Sequence, residues 1–207
     1  PHLQCLLVDF CFKDDADVIN TVAGLICGIL ISHFIIDGKP VVLLDGNQPG
    51  LGKTLLARVI GIVLDGNDPR LIHYTMDDEE LQKRICATLR GAGQTQLVID
   101  NAKVKAGSAI DSPVIEANSM AAEISLRILG KSENYTRPND LIWYVTMNST
   151  KASADLISRG LPIRMLYEGD PKNRDFDRRN PLRYAREHRW EILGELAGMV
   201  VRWVQLG

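Results

Sequence analysis

The chain has 207 residues, 45% of them hydrophobic and 24% charged, with a formal net charge of −2, enough for one sizeable core and a small helical appendage. A charge this close to neutral argues against wholesale electrostatic binding to nucleic acid, so any such contact should come from a local patch or from the axis of an assembly; composition alone neither proves nor excludes a DNA partner. Cys5, Cys11, Cys27 and Cys86 show no CxxC spacing and His2, His33, His73 and His188 are scattered, which indicates neither a zinc site nor a disulfide framework and fits a reducing cytoplasm.

The chain begins at Pro1 without a methionine or a basic, signal-like start, and reads as part of a longer protein. Asp14, Asp15 and Asp17 precede an uncharged, largely apolar stretch from Val18 to Ile36. Its length approaches that of a membrane span. Asn20, Thr21, Ser32 and His33 interrupt it, and Asp37-Gly38-Lys39-Pro40 leads at once into the next strand; a helix buried against a sheet is expected, with no membrane contact.

Val41-Val42-Leu43-Leu44 reads as a strand, and Asn47-Gln48-Pro49-Gly50-Leu51-Gly52-Lys53-Thr54 follows it as a phosphate-binding loop that opens a helix. Glycines let such a loop turn its N–H groups inward around phosphates, and the helix N-terminus adds partial positive charge. Asn47, Gly50, Leu51, Gly52, Lys53, Thr54 and Leu55 are the expected binding residues. Lys53 would reach the β- and γ-phosphates of a nucleotide and the Thr54 hydroxyl would ligate Mg²⁺. The strict pattern wants glycine at Asn47, since Gly46 falls one residue early; asparagine is expected to serve because it tolerates positive φ.

Beyond the loop, the pattern predicts a helix from Leu55 to Leu64, a strand Leu71 to Tyr74, a helix Asp77 to Arg90 and a strand Gln96 to Ile99. It continues with a helix Ala109 to Glu116 and strands Ile124 to Leu129 and Leu141 to Thr146, joined through a polar loop of hairpin character from Gly130 to Asp140. Leu161 to Tyr167 is the last expected strand. A charged linker spans 168–180, and a helix from Leu182 to Gln205 follows as a lid or the start of a bundle. The implied organisation is an N-terminal segment 1–39 with a buried helix, a core 40–167, the linker, and a C-terminal helical element 181–207 that reads as truncated. Alternating strands and helices predict an α/β fold with a parallel sheet flanked by helices, whose ligands bind at the carboxyl ends of the strands.

Asp100 stands at such an end in Leu97-Val98-Ile99-Asp100-Asn101, where an apolar strand would deliver a carboxylate to the Mg²⁺ shell. Asn148, closing Thr146-Met147-Asn148, is placed to orient an attacking water or the γ-phosphate, although a plain turn residue would look the same.

These three motifs in this order resemble those of the AAA+ ATPases and the related superfamily 3 viral helicases. Asp155-Leu156-Ile157-Ser158-Arg159-Gly160-Leu161-Pro162-Ile163-Arg164, Arg127-Ile128-Leu129-Gly130 and the Trp143 strand are similar to the ATPase domains of phage, plasmid and integrative-element replication proteins of the primase-helicase type. The resemblance covers roughly residues 15 to 205. It implies a P-loop NTPase (AAA+-like) fold, an ATP-hydrolysing motor using Mg²⁺, self-association into a ring, most often of six subunits, and a DNA partner, single-stranded by preference. It carries Arg159 over as an arginine finger acting on the neighbouring subunit's nucleotide, with Arg164 as runner-up. The catalytic set it implies is Lys53, Asp100, Asn101, Asn148 and Arg159.

One departure matters. Most AAA+ proteins place Glu beside the strand-end Asp; Asn101 stands there and cannot accept a proton from water. Slow turnover, a base supplied by Glu116 or Glu123, and hydrolysis that relies on positioning are all open. Gly130 to Asn139 lies where related helicases project a hairpin into a central channel, so Lys131 and Arg137 are candidate phosphate contacts and Tyr135 a candidate base-stacking residue. Arg174, Arg178, Arg179, Arg183, Arg186 and Arg189 form the densest basic cluster, but acids are interspersed, and a solvated interface is expected. Two other functions fit the same motifs: an ATP-driven protein loader or remodeller, and a nucleotide-binding switch that assembles with ATP and barely hydrolyses it.

Overall fold

The computed structural model describes residues 1–31, 34–35, 39–91, 93–104, 109–128, 133–174 and 180–206. In chain order the elements are α1 (His2–Leu7), α2 (Asp15–Leu30), β1 (Val41–Gly46), α3 (Lys53–Asp65), β2 (Leu71–His73), α4 (Asp78–Leu89), β3 (Gln96–Ala102), β4 (Ala109–Ile110) and α5 (Pro113–Ser119). There follow β5 (Glu123–Arg127), β6 (Asn134–Pro138), β7 (Ile142–Met147), β8 (Lys151–Ala152), α6 (Ala154–Ser158), β9 (Gly160–Met165), α7 (Pro181–Glu187) and α8 (Arg189–Leu206).

Five strands form one parallel sheet in the order β2-β3-β7-β1-β9. Its inner strands read as unbroken apolar runs because both faces are covered. Alternate residues divide between two cores: Val42, Leu44, Val98, Tyr144 and Ile163 pack with α1, α2, α3, α7 and α8, while Val41, Leu43, Leu97, Ile99, Trp143 and Val145 pack with α4, α5 and β5. The insertion of β7 between β1 and β3 brings three carboxyl ends together, those that carry the phosphate-loop motif, Asp100 and Asn148.

The apolar stretch near the N-terminus lies against this sheet. Its helix starts at Asp15 because Asp14 caps it, accepting from Ala16 N at 3.0 Å and Asp17 N at 3.3 Å. Gly24 rests over Tyr144 and Val42, and Gly28 against Leu64. Ile36, the expected end, falls outside the described residues, and no described helix is long and apolar enough to cross a membrane.

Three expectations are corrected. The helix expected over Ala109 to Glu116 is a short strand, β4, paired in parallel with β8, followed by α5; Pro113 sits at the first turn of a helix and would break one begun at Ala109. The strand expected over Ile124 to Leu129 lies outside the main sheet. It pairs antiparallel with β6, which forms inside the segment expected to be loop. The single C-terminal helix is two, divided at His188 (φ −114°, ψ 24°). Arg189, the first residue of α8, donates to Ile62 O (3.2 Å), Val63 O (2.9 Å) and Leu64 O (2.7 Å), capping the carboxyl end of α3. Helix α1 carried no sequence signal; its N-terminus is capped from α8, where Glu195 accepts from His2 N and Leu3 N.

Candidate functional site

The loop after β1 takes left-handed backbone at Gly50 (φ 84°) and Gly52 (φ 95°), conformations that a side chain would strain. Asn47 does not take one, which corrects the reason expected for its tolerance. Its amide instead clasps the chain leaving β9, donating to Tyr167 O at 2.9 Å and accepting from Tyr167 N at 3.2 Å. Gly46, one residue early for the pattern, is needed for packing: a Cβ there would lie 2.9 Å from both Lys53 Nζ and Leu51 Cδ1.

Lys53 is 6% exposed, and its ammonium donates to Gln48 O at 3.0 Å within its own loop. Burial pushes it below the ordinary lysine value, with Asp45, Cys11 and Asp100 pulling the other way. An anion in the loop would relieve that cost. The loop is also held from behind. Gln48 donates to Tyr167 O and Gly169 O, Pro171 packs over Gly50, and Arg174 donates to Leu51 O at 3.1 Å, to Cys11 Sγ and to Asp9 O. The expected linker is thus a strap across the loop as far as residue 174; Arg178 and Arg179 lie outside the described residues.

Opposite Lys53, two hydroxyls converge on Asp100 Oδ1: Thr54 Oγ1 at 2.7 Å and Thr146 Oγ1 at 2.8 Å. Thr146 Oγ1 also accepts from Asn101 N at 2.8 Å. The register of β3 against β7 shifts between Ile99 and Ala102, and Asn101 within that irregularity has φ 59°. A bulge of this kind re-aims a side chain at a strand end, and asparagine is among the residues that accept the conformation. Asn148 Oδ1 is buried without a hydrogen-bond partner among the described residues.

Gly50, Gly52, Lys53, Thr54, Asp100 and Asn148 line one cleft of 410 Å³, together with Asn101, Thr146 and His73. Its lining combines the glycine loop at the start of α3 and one ammonium with a hydroxyl and a carboxylate. Those oxygens suit a hard cation such as Mg²⁺, which commonly takes one or two protein ligands and completes its shell with phosphates and water. No described group of three or more His, Cys, Asp or Glu side chains could hold a metal by itself.

Thr146 and His73 were missed in sequence. Thr146 reads there as a strand residue and His73 as a residue within the short strand Leu71 to Tyr74; only the order of strands in the sheet brings them to Asp100.

Arg159 and Arg164 lie elsewhere. Arg159 ends α6, pairs with Asp155 at 2.9 Å and is about 40% exposed. Its carbonyl accepts from Val41 N, which puts it at the amino end of the sheet, one strand length from the cleft. Arg164 is at the carboxyl end of β9, facing Asp17 at 3.8 Å, and does not line the cleft. Glu116 accepts from Ser153 Oγ and Glu123 is exposed on β5; neither lines the cleft. In the hairpin, the expected nucleic-acid contacts are engaged within the chain. Tyr135 packs on the second core and donates to Leu89 O, and Arg137 pairs with Asp140, because β6 folds back on β5 and α4. Lys131 lies outside the described residues.

No protein-family model matches the chain, and no curated protein matches it. Among solved structures it is similar to the apo A form of the NrS-1 C-terminal region, with 10% identity and a TM-score of 0.58 over 91% of this chain and 43% of that one. It is also similar to an inhibitor-bound JCV helicase, with 18% identity and a TM-score of 0.51 over 82% of this chain and 45% of that one. The fold is α/β, a five-stranded parallel sheet flanked by helices as in P-loop NTPases, and it matches the fold of these two structures. The chain spans less than half the length of either structure.

Proposed function

We propose that this chain is the ATP-hydrolysing motor domain of a helicase of the kind found in mobile-element or phage replication proteins. The observation that carries the reading is the convergence of Lys53, Thr54, Asp100 and Asn148 on one cleft at the carboxyl ends of β1, β3 and β7. In this reading the loop N–H groups and Lys53 hold the β- and γ-phosphates, and Thr54 and Asp100 hold Mg²⁺. Bound there, Mg²⁺ would neutralise charge on the phosphate oxygens. Thr146 keeps the Asp100 carboxylate aligned, and Asn148, which lines the same cleft, orients water at the γ-phosphate.

Arg159 cannot serve its own cleft from the far end of the sheet, so it acts on a neighbouring subunit, which calls for a ring of heterologous contacts. Six subunits and a single-stranded DNA substrate are part of the proposal. The test is ATP turnover with and without single-stranded DNA, alongside Lys53→Ala. DNA-stimulated, Lys53-dependent hydrolysis supports the motor; hydrolysis indifferent to DNA sinks the helicase assignment.

Asn101 favours a second reading, a switch that assembles on binding ATP and hydrolyses it slowly. Nucleotide-dependent assembly without turnover supports that one.

A further inference from the structure

Resting on the ATPase reading above, we propose that His73 is a catalytic residue: its imidazole positions the attacking water and takes its proton, supplying what Asn101 cannot.

Side chains two residues apart along a strand share a face. Leu71, Val98 and Tyr144, on the adjacent strands β2, β3 and β7, all face the core beneath α3. Two residues further, at the carboxyl ends, the same face carries His73, Asp100 and Thr146. His73 and Asp100 are register partners on neighbouring strands, which run about 4.8 Å apart. The end of β2 is pinned on both sides, since Tyr74 N donates to Asp100 O at 3.0 Å and Arg84 Nη1 donates to His73 O at 2.9 Å. Its backbone is therefore held in place, and the residue lines the cleft.

The other groups lining the cleft leave the role open. Asn101 and Asn148 are amides, which do not take up a proton near neutrality. Lys53 donates to Gln48 O. Asp100 Oδ1 receives both Thr54 and Thr146, and its carboxylate is committed to the cation side of the site. The acids considered from sequence, Glu116 and Glu123, do not line the cleft. No hydrogen bond to the His73 ring occurs among the described residues, so the ring is available to a water bound in the cleft that it shares with Asn148.

In the step, the water oxygen bonds to the γ-phosphorus as the bond to the β,γ-bridging oxygen breaks, its electron pair leaving with ADP. The displaced water proton passes to the imidazole nitrogen, and the imidazolium later returns it to solvent.

The test is single-turnover ATP hydrolysis by the assembled protein, with nucleotide affinity measured in parallel, for wild type, Lys53→Ala, and His73→Ala with and without added imidazole. His73→Ala is expected to slow hydrolysis roughly 10²-fold, the lower range for general base catalysis, with affinity unchanged, and imidazole to restore part of the rate. A merely structural role would not respond to imidazole. Wild-type rate in His73→Ala, or a slowed rate that imidazole does not raise, overturns the inference while leaving the site reading intact when Lys53→Ala is inactive. Hydrolysis that survives Lys53→Ala overturns both.

Discussion

Arg159 and Lys53 occupy opposite ends of the central sheet. Lys53 follows the carboxyl end of β1, and the Arg159 carbonyl accepts from Val41 at its amino end. The six residues of β1 span roughly 20 Å at about 3.3 Å per residue, too far for an arginine to reach its own loop. Arg159→Ala is therefore expected to leave ATP affinity nearly intact and to lower turnover by up to about 10³-fold. Mixing it with Lys53→Ala subunits should recover activity that neither parent has, since mixed rings contain some complete sites. A dead mixture in which mixed assemblies are shown to form counts against action across subunits.

Lys53→Ala should lose phosphate-dependent nucleotide binding. Because the buried ammonium has Gln48 O as its one hydrogen-bond partner among the described residues and is costly to keep charged, stability should change little, within about 1 kcal/mol. Equilibrium binding of a fluorescent ATP analogue and urea unfolding measure the two separately. Undiminished binding by a folded variant contradicts the phosphate-loop assignment.

Thr146→Val removes one of the two hydroxyl donors to Asp100 and the acceptor of Asn101 N–H. Thr146 is 2% exposed, so the orphaned groups should cost about 1–3 kcal/mol, and a higher Mg²⁺ concentration should be needed for hydrolysis. Thr146→Ser keeps the hydroxyl and should keep both properties. Identical Mg²⁺ titrations for the Val and Ser variants would argue that Thr146 does not align Asp100.

Tyr144→Phe makes the opposite kind of change. The Tyr144 hydroxyl is fully buried beneath Gly24, and no described group partners it; burial drives its pKa far upward. Its removal deletes an unpaired polar group. The variant should unfold at equal or higher denaturant concentration, and a loss of more than about 1 kcal/mol would show that the hydroxyl has a partner in solution.

Glu195 ties α8 to α1. Burial works to raise its pKa, but the N–H groups of Leu3 and His2 more than offset this and hold it below the ordinary carboxylate value. A depressed folded-state value means the stabilisation is present above the unfolded value and fades as pH falls through the folded one. Wild type should thus lose stability relative to Glu195→Gln on acidification, converging with it at low pH. Thermal melts of both proteins across pH 3 to 7 read the difference, and parallel curves would remove Glu195 from the acid response.

The sequence carried the sheet and the loop because both are written locally. Val41 to Leu44 and Leu97 to Ile99 are apolar runs that only a twice-covered strand tolerates, and Gly50 and Gly52 mark the two backbone positions that need glycine. The hairpin was misread because Asn134 to Pro138 is polar and alternates weakly; its pairing with β5 is decided by contact with α4. Tyr135 illustrates the same limit, as an exposed-looking aromatic whose ring packs on the second core. Thr146 and His73 could be found only from strand order, because both lie far in sequence from Asp100 and become its neighbours through the β2-β3-β7 arrangement.

The strap behind the phosphate loop makes that loop one end of a lever. Gln48 and Asn47 are fastened to Tyr167 and Gly169, and Arg174 joins Leu51 to the chain just after α1. Leu51 and Gly52 also share a small cavity with Pro181, the first residue of α7. A shift of the loop by an ångström or so therefore pulls at once on the exit from β9, on α1 and on the start of α7. The loop that borders the cleft is in this way tied, through the side chains of Asn47, Gln48 and Arg174, to segments that adjoin the helices of the first core.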